Sequence, residues 1–244
     1  MRIAVAGKGG SGKTTLAALI IIHLKGTGRK PILAVDADPN YCLGEYLGVK
    51  EFTPLMEKAE ELLKLKDRLP PGMDKTLLWE MGLEEIIAER EGFDLLVMGK
   101  TEGPGCYCSA NNLLRLLLEK LARSYPYTVI DNEAGMEHLS RRTSGELDHL
   151  LIVANPHPLS LRSAQRIKEL SEKLEINIRS KHLVILHNTP TSSPFTPFQP
   201  PLVEIPYDKK LVELSLSGTP LTQLPSSTPI LHAVENLVDK LLSS

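Results

Sequence analysis

Short apolar runs alternate along the chain with longer stretches of helical spacing. Several of the runs, such as 150–154 and 183–186, are continuously apolar, as expected of parallel strands that helices cover on both faces. We predict strands at 2–6, 31–35, 93–98, 127–130, 149–154, 182–186 and 202–205, and crossover helices at 14–25, 111–124 and 159–174. The pattern therefore predicts an α/β fold with a single doubly wound, mostly parallel sheet and helices on both faces.

Two segments interrupt this alternation. Residues 45–92 separate the second and third predicted strands by more than one helix requires, and their stretches MEKAEELLKLK and LEEIIAER have the spacing of amphipathic helices. Residues 188–201 are rich in Pro and Thr, which predicts a long surface loop before the last strand. We interpret 1–244 as one domain with a helical insertion at about 45–92.

Composition and charge narrow the possible functions. The chain is 42% apolar with a formal net charge of -2, and Lys and Arg are spread along it, so we expect no nucleic-acid partner. The longest apolar run, 16–24, is shorter than the ~20 residues that cross a bilayer, and no basic targeting segment precedes the first strand. We therefore expect a cytoplasmic protein without membrane contact, whose three cysteines form no disulfide framework.

The segment GKGGSGKT directly follows the first predicted strand and precedes the first predicted helix. It fits the phosphate-loop pattern G-x-x-x-x-G-K-[ST], in which glycines let successive backbone N–H groups surround a polyphosphate. Lys13 can reach the β and γ phosphates of ATP, and Thr14 should ligate Mg²⁺. The predicted nucleotide contacts here are Gly7, Lys8, Gly9, Gly10, Ser11, Gly12, Lys13, Thr14 and Thr15.

Lys8 is a second lysine inside this loop, at a position where an ordinary phosphate loop accepts almost any residue. One interpretation is a solvated charge. The other is a lysine that reaches across a two-fold axis to the phosphates of a partner protomer. The position by itself does not choose between them.

Two acidic segments follow predicted strands. DADPN at 36–40 lies at the carboxyl end of the second strand, where Asp38 could orient the attacking water, although Asp, Pro and Asn are also common turn residues. YTVIDNEAG at 127–135 is a strand that ends in Asp131. That carboxylate suits a Mg²⁺-bound water, and Gly135 suits a backbone that senses the γ-phosphate.

The strand LVIL is followed by Asn188, which could hydrogen-bond the base or could be a strand-end turn residue. Position 189 is not lysine and position 191 is not aspartate, so the guanine-reading sequence N-K-x-D of GTPases is missing. We therefore expect ATP rather than GTP.

The segment GPGCYC at 103–108 follows the third predicted strand. In an extended segment side chains alternate, so Cys106 and Cys108 would face the same way. A closed tetrahedral metal site needs four ligands, and a two-fold axis would supply the second pair of thiolates. The alternative is two buried cysteines that act as small apolar residues. We interpret Cys42, which has no nearby cysteine, as structural.

The loop KGGSGKT, with its two lysines, resembles the SIMIBI class of dimerising P-loop ATPases, which includes MinD and the nitrogenase iron protein. Together with it, DADPN, GPGCYC, IDNEAGMEHLSRR and IPYD look like the CooC-type maturation factors that insert nickel into carbon monoxide dehydrogenase. The resemblance runs from residue 1 to about 240. The Pro-rich stretch 189–201 departs from the pattern of that family.

This resemblance implies a homodimer that delivers metal to carbon monoxide dehydrogenase. It implies that Lys8 contacts nucleotide across the dimer, that Asp38 acts on water, that Asp131 serves Mg²⁺, and that Cys106 and Cys108 hold Ni²⁺ or Zn²⁺ between protomers. It also assigns Pro206, Tyr207 and Asp208 of the IPYD segment to the nucleotide site.

Two other functions stay open. A positioning ATPase like MinD or ParA would need a basic amphipathic tail or a basic DNA-binding surface, and the amphipathic stretch 231–244 has Lys240 as its only lysine or arginine. An iron–sulfur electron carrier like the nitrogenase iron protein would take its ligands from the same symmetric cysteine position. The cysteine spacing does not exclude it.

Overall fold

The computed structural model describes residues 1–66 (62–66 by backbone only), 85–99, 121, 124–133, 146–173, 177–190 and 197–243. Its strands are β1 (Arg2–Gly7), β2 (Ile32–Ala37), β3 (Ile87–Arg90), β4 (Phe93–Val97), β5 (Tyr127–Asn132), β6 (Leu147–Ala154), β7 (Ile178–Leu186) and β8 (Val203–Ile205). They form one sheet in the order β3-β4-β2-β5-β1-β6-β7-β8. Every described pair is parallel except β3 with β4. The predicted fold class is confirmed.

The described helices are α1 (Lys13–Gly26), α2 (Cys42–Leu47), α3 (Leu55–Lys66), α4 (Pro158–Lys173), α5 (Lys209–Ser217) and α6 (Pro229–Leu242), with a 3₁₀ turn at Leu221–Gln223. The predicted helices 14–25 and 159–174 correspond to α1 and α4. The predicted helix 111–124 lies almost entirely outside the described residues. None of the described helices is long and apolar enough to cross a membrane.

Helices cover both faces of the sheet because its strands are apolar on both sides. Along β1, Ile3 and Val5 pack in a core with α1, α2, α5 and α6. The alternate residues Ala4 and Ala6 pack in a second core with α3 and α4. Leu, Ile, Val and Ala fill most of both cores, as the low aromatic content requires. This double burial explains why the strands are apolar without alternation.

The helix predicted for LEEIIAER is wrong, although residues 85–86 are helical. Residues 87–90 form β3, which pairs with β4 in antiparallel register and places Ile87 opposite Leu96. Gly92, with φ 85°, lies in the two-residue turn between these strands, a conformation that glycine adopts without strain. Pairing at the sheet edge thus outweighs the helical spacing, and the segment 45–92 is not a purely helical insertion. The other predicted helix of this segment, MEKAEELLKLK, is found in α3.

The candidate site lies where the chain leaves the parallel strands. β1 is in the middle of the sheet, with β5 on one side and β6 on the other. The segments that follow β1, β2, β5, β6 and β7 therefore meet at one carboxyl edge, which is where open α/β sheets bind ligands.

Candidate functional site

The turn between β1 and α1 has the backbone of a phosphate loop. Gly10 and Gly12 have φ values of 76° and 93°, in the left-handed region that favours glycine. Gly12 is also the N-cap of α1 and has no side chain to cap it, so N–H groups of the first helical turn remain available to an anion. A Cβ on Gly9 or Gly10 would meet no atom within 4 Å. The space beside Gly9 and Gly10 is therefore open, as the approach of a polyphosphate requires.

Other positions in this loop are tightly packed. A Cβ on Gly7 would stand 2.6 Å from both Ser11 Oγ and the Val153 carbonyl oxygen, so only glycine fits there. Ser11 N donates to the Lys8 carbonyl at 3.1 Å, which closes the turn. Lys13 is buried, whereas Thr14 and Thr15 are half-buried and Lys8 is exposed. The exposed position of Lys8 leaves its two interpretations open.

Asp131 ends the apolar part of β5 beside this loop. It stands opposite Val5 of β1 on one side and Asp36 of β2 on the other. The carboxylate is fully buried, and neither oxygen has a hydrogen-bond partner. Burial raises its pKa to about 6, even though Thr14 and Lys13 lie close enough to lower it. A buried carboxylate without a partner is a ligand for a cation, so this position fits Mg²⁺.

Asp36 is a residue of the site that the sequence analysis did not assign. Its carboxylate accepts hydrogen bonds from the backbone N–H groups of Asp38 at 3.1 Å and Leu43 at 2.9 Å. Burial, reinforced by the charge of Asp131, raises its pKa to about 7. Asp36 thus fixes the path of the loop that carries Asp38. The signal in the sequence is its spacing of two from Asp38, which places both on the same side of an extended chain.

Asp38 is half-buried in the turn after β2. One carboxylate oxygen, Oδ1, accepts from the Asn40 backbone N–H at 3.0 Å and from Asn40 Nδ2 at 2.7 Å. Its charge raises the pKa of both Asp36 and Asp131. The structure therefore brings Asp38, Asp131 and the phosphate loop together at one edge of the sheet. Asp38 also has the turn contacts of the alternative interpretation, so the two interpretations are compatible.

A cavity, which we call the candidate base cavity, lies at the ends of β7 and β8 and has a volume of about 430 Å³. Its lining consists of His187, Thr189, Pro190, Glu204, Pro206 and Tyr207. Asn188 lies between two of the lining residues and is exposed. The cavity is thus lined by Pro206 and Tyr207, which the resemblance assigns to the nucleotide site, and by the chain neighbours of Asn188, the predicted base contact.

Asp208 has a different local role. Its Oδ1 accepts from the backbone N–H groups of Lys210 at 2.8 Å and Leu211 at 3.1 Å, so it is the N-cap of α5. This cap holds the start of α5 directly after the cavity residues Pro206 and Tyr207.

Three predicted site residues, Cys106, Cys108 and Gly135, lie outside the described residues. Within the part of the chain that is described, no three His, Cys, Asp or Glu side chains come together as a metal site. Cys42 is half-buried at the start of α2, and burial raises the pKa of its thiol. A thiol of this kind is a poor metal ligand, because binding requires the thiolate.

The chain is similar to proteins of one nucleotide-binding family. Residues 3–192 match the family described as the CobQ/CobB/MinD/ParA nucleotide binding domain. An uncharacterised ATP-binding protein of Methanocaldococcus jannaschii is 38% identical over 251 residues, which cover 100% of this chain and 99% of that protein. The carbon monoxide dehydrogenase accessory protein CooC of Rhodospirillum rubrum is 33% identical over 192 residues, covering 72% of this chain and 71% of its own length.

Solved structures show the same fold. The cell division ATPase MinD of Pyrococcus furiosus superposes with a TM-score of 0.72 at 22% identity, covering 99% of this chain and 98% of its own. The septum site-determining protein MinD of Pyrococcus horikoshii, complexed with Mg-ADP, gives a TM-score of 0.70 at 20% identity, with coverage of 98% and 95%. At these identities the likeness concerns the fold alone.

Proposed function

The chain belongs to the CobQ/CobB/MinD/ParA family of nucleotide-binding proteins and is an ATP-binding and ATP-hydrolysing P-loop NTPase, and from that premise we propose that it is a dimerising metallochaperone. Two protomers close around ATP and Mg²⁺, hold Ni²⁺ or Zn²⁺ between their Cys-x-Cys pairs, and release the metal to a client when hydrolysis reopens the dimer. The client is carbon monoxide dehydrogenase, and the protein works in the cytoplasm as a single domain spanning 1–244.

In this proposal each residue at the carboxyl edge of the sheet has a separate role in ATP binding or hydrolysis. Lys13 holds the β and γ phosphates, and Thr14 and Asp131 bind Mg²⁺ or its water ligands, which supply charge neutralisation at the transferring phosphoryl group. Asp38 orients the attacking water, and Lys8 reaches the phosphates of the partner protomer. Asn188, Pro206 and Tyr207 contact the base, Asp208 holds α5 behind them, and Gly135 senses the γ-phosphate.

One observation supports the ATPase site more than any other. Asp131 is fully buried beside the phosphate loop, and neither carboxylate oxygen meets the geometry of a hydrogen bond, so the nearby Thr14 side chain and Lys13 charge offset its burial only in part. A buried ion costs several kcal/mol when nothing compensates its charge. The folded chain keeps this carboxylate between β1 and β2, next to Lys13 and Thr14, where a bound divalent cation would compensate it.

The proposals for the metal and for the client protein are supported by other observations. The sequence GPGCYC places two cysteines at alternate positions, and the CooC protein, whose name describes it as a carbon monoxide dehydrogenase accessory protein, is 33% identical. Two thiolates from one chain leave a tetrahedral ion half coordinated, so symmetry in a homodimer completes the site. Metal binding and dimerisation are therefore expected to occur together.

Replacing both Cys106 and Cys108 by Ser tests this part of the proposal. The double variant should neither bind metal nor dimerise with Ni²⁺ or Zn²⁺, yet it should bind ATP like the wild type, because the phosphate loop belongs to a different segment. Sedimentation with each metal, with and without ATP, measures dimerisation, and metal analysis should give about one ion per two wild-type chains. Because thiolates must be deprotonated, both effects should weaken as pH falls.

The matched control is Cys42→Ser, which changes the half-buried cysteine of α2. It should leave metal stoichiometry and dimerisation unchanged. If the double variant still dimerises on addition of metal with the wild-type stoichiometry, the shared-site proposal is wrong.

The family description, which names MinD and ParA, leads us to weigh one other candidate, a positioning ATPase that works on a membrane or on DNA. The packing of α6 argues against a membrane role for this helix, because most of its large apolar residues, Ile230, Val234, Leu237, Val238 and Leu241, are buried in the core. Cosedimentation with anionic vesicles and with DNA in the presence of ATP would test this candidate. A visible absorption spectrum of anaerobically purified protein tests the iron–sulfur alternative.

A further inference from the structure

Asn155 is a buried polar residue at the carboxyl edge that none of the roles above uses. It follows the last residue of β6, and β6 lies between β1 and β7 in the sheet. The phosphate loop leaves β1, and the candidate base cavity begins at the end of β7. Asn155 therefore occupies the position between the two halves of the nucleotide site.

The side chain of Asn155 contacts both halves. Its Nδ2 donates to the Leu186 carbonyl at the end of β7 at 3.0 Å, and makes a longer contact to the Ser11 carbonyl of the phosphate loop at 3.4 Å. Both partners are carbonyl oxygens, so only the NH₂ group of the amide can face them. The two carbonyls lie 31 and 144 residues away from Asn155 in the sequence.

The orientation of Asn155 is itself fixed. Its backbone N–H donates to Ser160 Oγ at 2.9 Å, and Ser160 is buried at the start of α4. Asn155 is 5% exposed, so its amide cannot turn to water for other partners.

Leu186 provides a second, independent link between the same two regions. A Cβ on Gly12 would stand 3.0 Å from Leu186 Cδ1, so this leucine packs directly against the phosphate loop. The residue that precedes the base cavity thus contacts the loop through its side chain, and through its carbonyl by way of Asn155.

We propose that Asn155 is a positioning residue that sets the distance between the phosphate loop and the base cavity, so that one nucleotide can occupy both. Asn155 contacts neither the phosphates nor the base in this role. The inference concerns the ATP site and does not depend on the proposed metal or client. It predicts that loss of the amide harms ligands that bridge both regions more than ligands that occupy the phosphate loop alone.

The test compares ATP with inorganic tripolyphosphate in the variant Asn155→Asp, which keeps the shape but replaces the NH₂ by an oxygen. The Kd for Mg-ATP should rise by about tenfold or more, because a repelled carbonyl shifts one half of the site against the other. The Kd for Mg-tripolyphosphate should stay within about threefold of wild type, because the Ser11–Lys8 turn and the start of α1 still shape the loop. Steady-state hydrolysis should show a raised KM for ATP.

Asn177→Asp is the matched control. Asn177 is exposed just before β7 begins, so this substitution makes the same change from amide to carboxylate far from the site. Its ratio of ATP to tripolyphosphate affinity should equal that of the wild type. Asn155→Ala removes the amide contact to the two carbonyls without setting a charge against them. This milder variant decides the question if Asn155→Asp does not fold.

If Asn155 had a purely structural role, its loss would lower the affinities for ATP and tripolyphosphate by the same factor, or lower neither. An unchanged ratio of the two affinities in variants that fold would therefore overturn the inference about Asn155 and leave the assignment of the nucleotide site intact. Failure of the wild type to bind ATP and tripolyphosphate would instead overturn the assignment of the nucleotide site, and the inference with it.

Discussion

The two ends of the sheet both contain buried polar side chains, but they differ in how many of these side chains have hydrogen-bond partners. At the carboxyl edge, Ser11 Oγ, both oxygens of Asp131 and Asn132 Oδ1 are buried without a partner. They are four of the six such atoms among the described residues; of the other two, one belongs to His23 of α1 and one, Thr128 Oγ1, lies at the opposite end of β5. Unpartnered polar atoms are therefore concentrated where the phosphate loop lies.

At the opposite end, the polar groups of β6 and β7 satisfy one another. The Ser180 hydroxyl lies 2.7 Å from His149 Nδ1 and 2.9 Å from His182 Nε2, and donates to the Asp148 carbonyl at 3.0 Å. The Asp148 carboxylate accepts from the backbone N–H of Arg2 at 2.7 Å. Burial lowers the pKa of both histidines, so they favour the neutral form that such packing requires.

The difference indicates what each end contributes. Groups that hydrogen-bond one another stabilise the fold, whereas buried groups without partners destabilise it until a ligand binds them. Substitutions at the carboxyl edge should therefore impair activity with little loss of stability, and substitutions at the opposite end should do the reverse.

The largest expected effect is that of Lys13→Ala. The β and γ phosphates lose their principal side-chain cation, so ATP turnover should fall by at least about a thousandfold. Phosphate release under saturating ATP measures it. Lys209→Ala, at a lysine whose side chain is 82% exposed, is the matched control and should turn over normally. Undiminished turnover in Lys13→Ala would show that this loop does not hold the phosphates.

Asp38→Asn should bind ATP with near-normal affinity but hydrolyse it about a hundredfold more slowly, because the amide keeps the shape and loses the charge that orients water. An asparagine at this position can still accept the two hydrogen bonds from Asn40. Asn40→Ala, which removes one of those donors, separates the two interpretations of Asp38. If it slows hydrolysis as much as Asp38→Asn does, the turn is the whole role of Asp38.

Asp131→Asn should weaken Mg-ATP binding while stabilising the free protein. The pKa of Asp131 is raised from 3.8 to about 6, so the folded chain binds this proton more tightly than the unfolded chain. The free energy of unfolding should therefore fall as pH rises from about 4 to about 6, by roughly 2–3 kcal/mol in total. Asp131→Asn should not show this fall in the free energy of unfolding, because it has no carboxylate at this position.

Urea unfolding in EDTA measures this effect. Asp131→Asn should be more stable than wild type at pH 8, and the gain should shrink at pH 5. Asp239→Asn changes an exposed aspartate of α6 and is the control. If Asp131→Asn is less stable than wild type at pH 8, the buried carboxylate does not destabilise the protein in the absence of a cation, and this prediction is wrong.

The smallest expected effect belongs to the opposite end of the sheet. Ser180→Ala removes the hydroxyl shared by His149, His182 and the Asp148 carbonyl, so the free energy of unfolding should fall by about 1–2 kcal/mol, with ATP turnover unchanged. Urea unfolding and phosphate release measure the two quantities. Ser163→Ala removes a single exposed hydroxyl contact on α4 and should change neither. Slower ATP turnover in Ser180→Ala would contradict the claim that the opposite end of the sheet contributes to stability and not to activity.

The fold class and the phosphate loop were predictable because their signals are local. Continuous apolar runs indicate strands buried on both faces, and the glycines at 7, 9, 10 and 12 indicate a loop that must bend and approach a ligand. The strand β3 was not predictable, because its partner β4 and the positive φ of Gly92 decide its conformation, not its own spacing. The roles of Cys106, Cys108 and Gly135 remain predictions.

The sequence by itself determined which residues precede and follow each strand, and so which loops carry glycine, lysine and carboxylates. Only the tertiary structure decided which of these meet. Asp36 opposes Asp131 because β2 pairs with β5, and Asn155 reaches both Ser11 and Leu186 because β6 lies between β1 and β7. Strand order and register set these distances, and burial between paired strands sets the pKa values of the two carboxylates, none of which a local pattern contains.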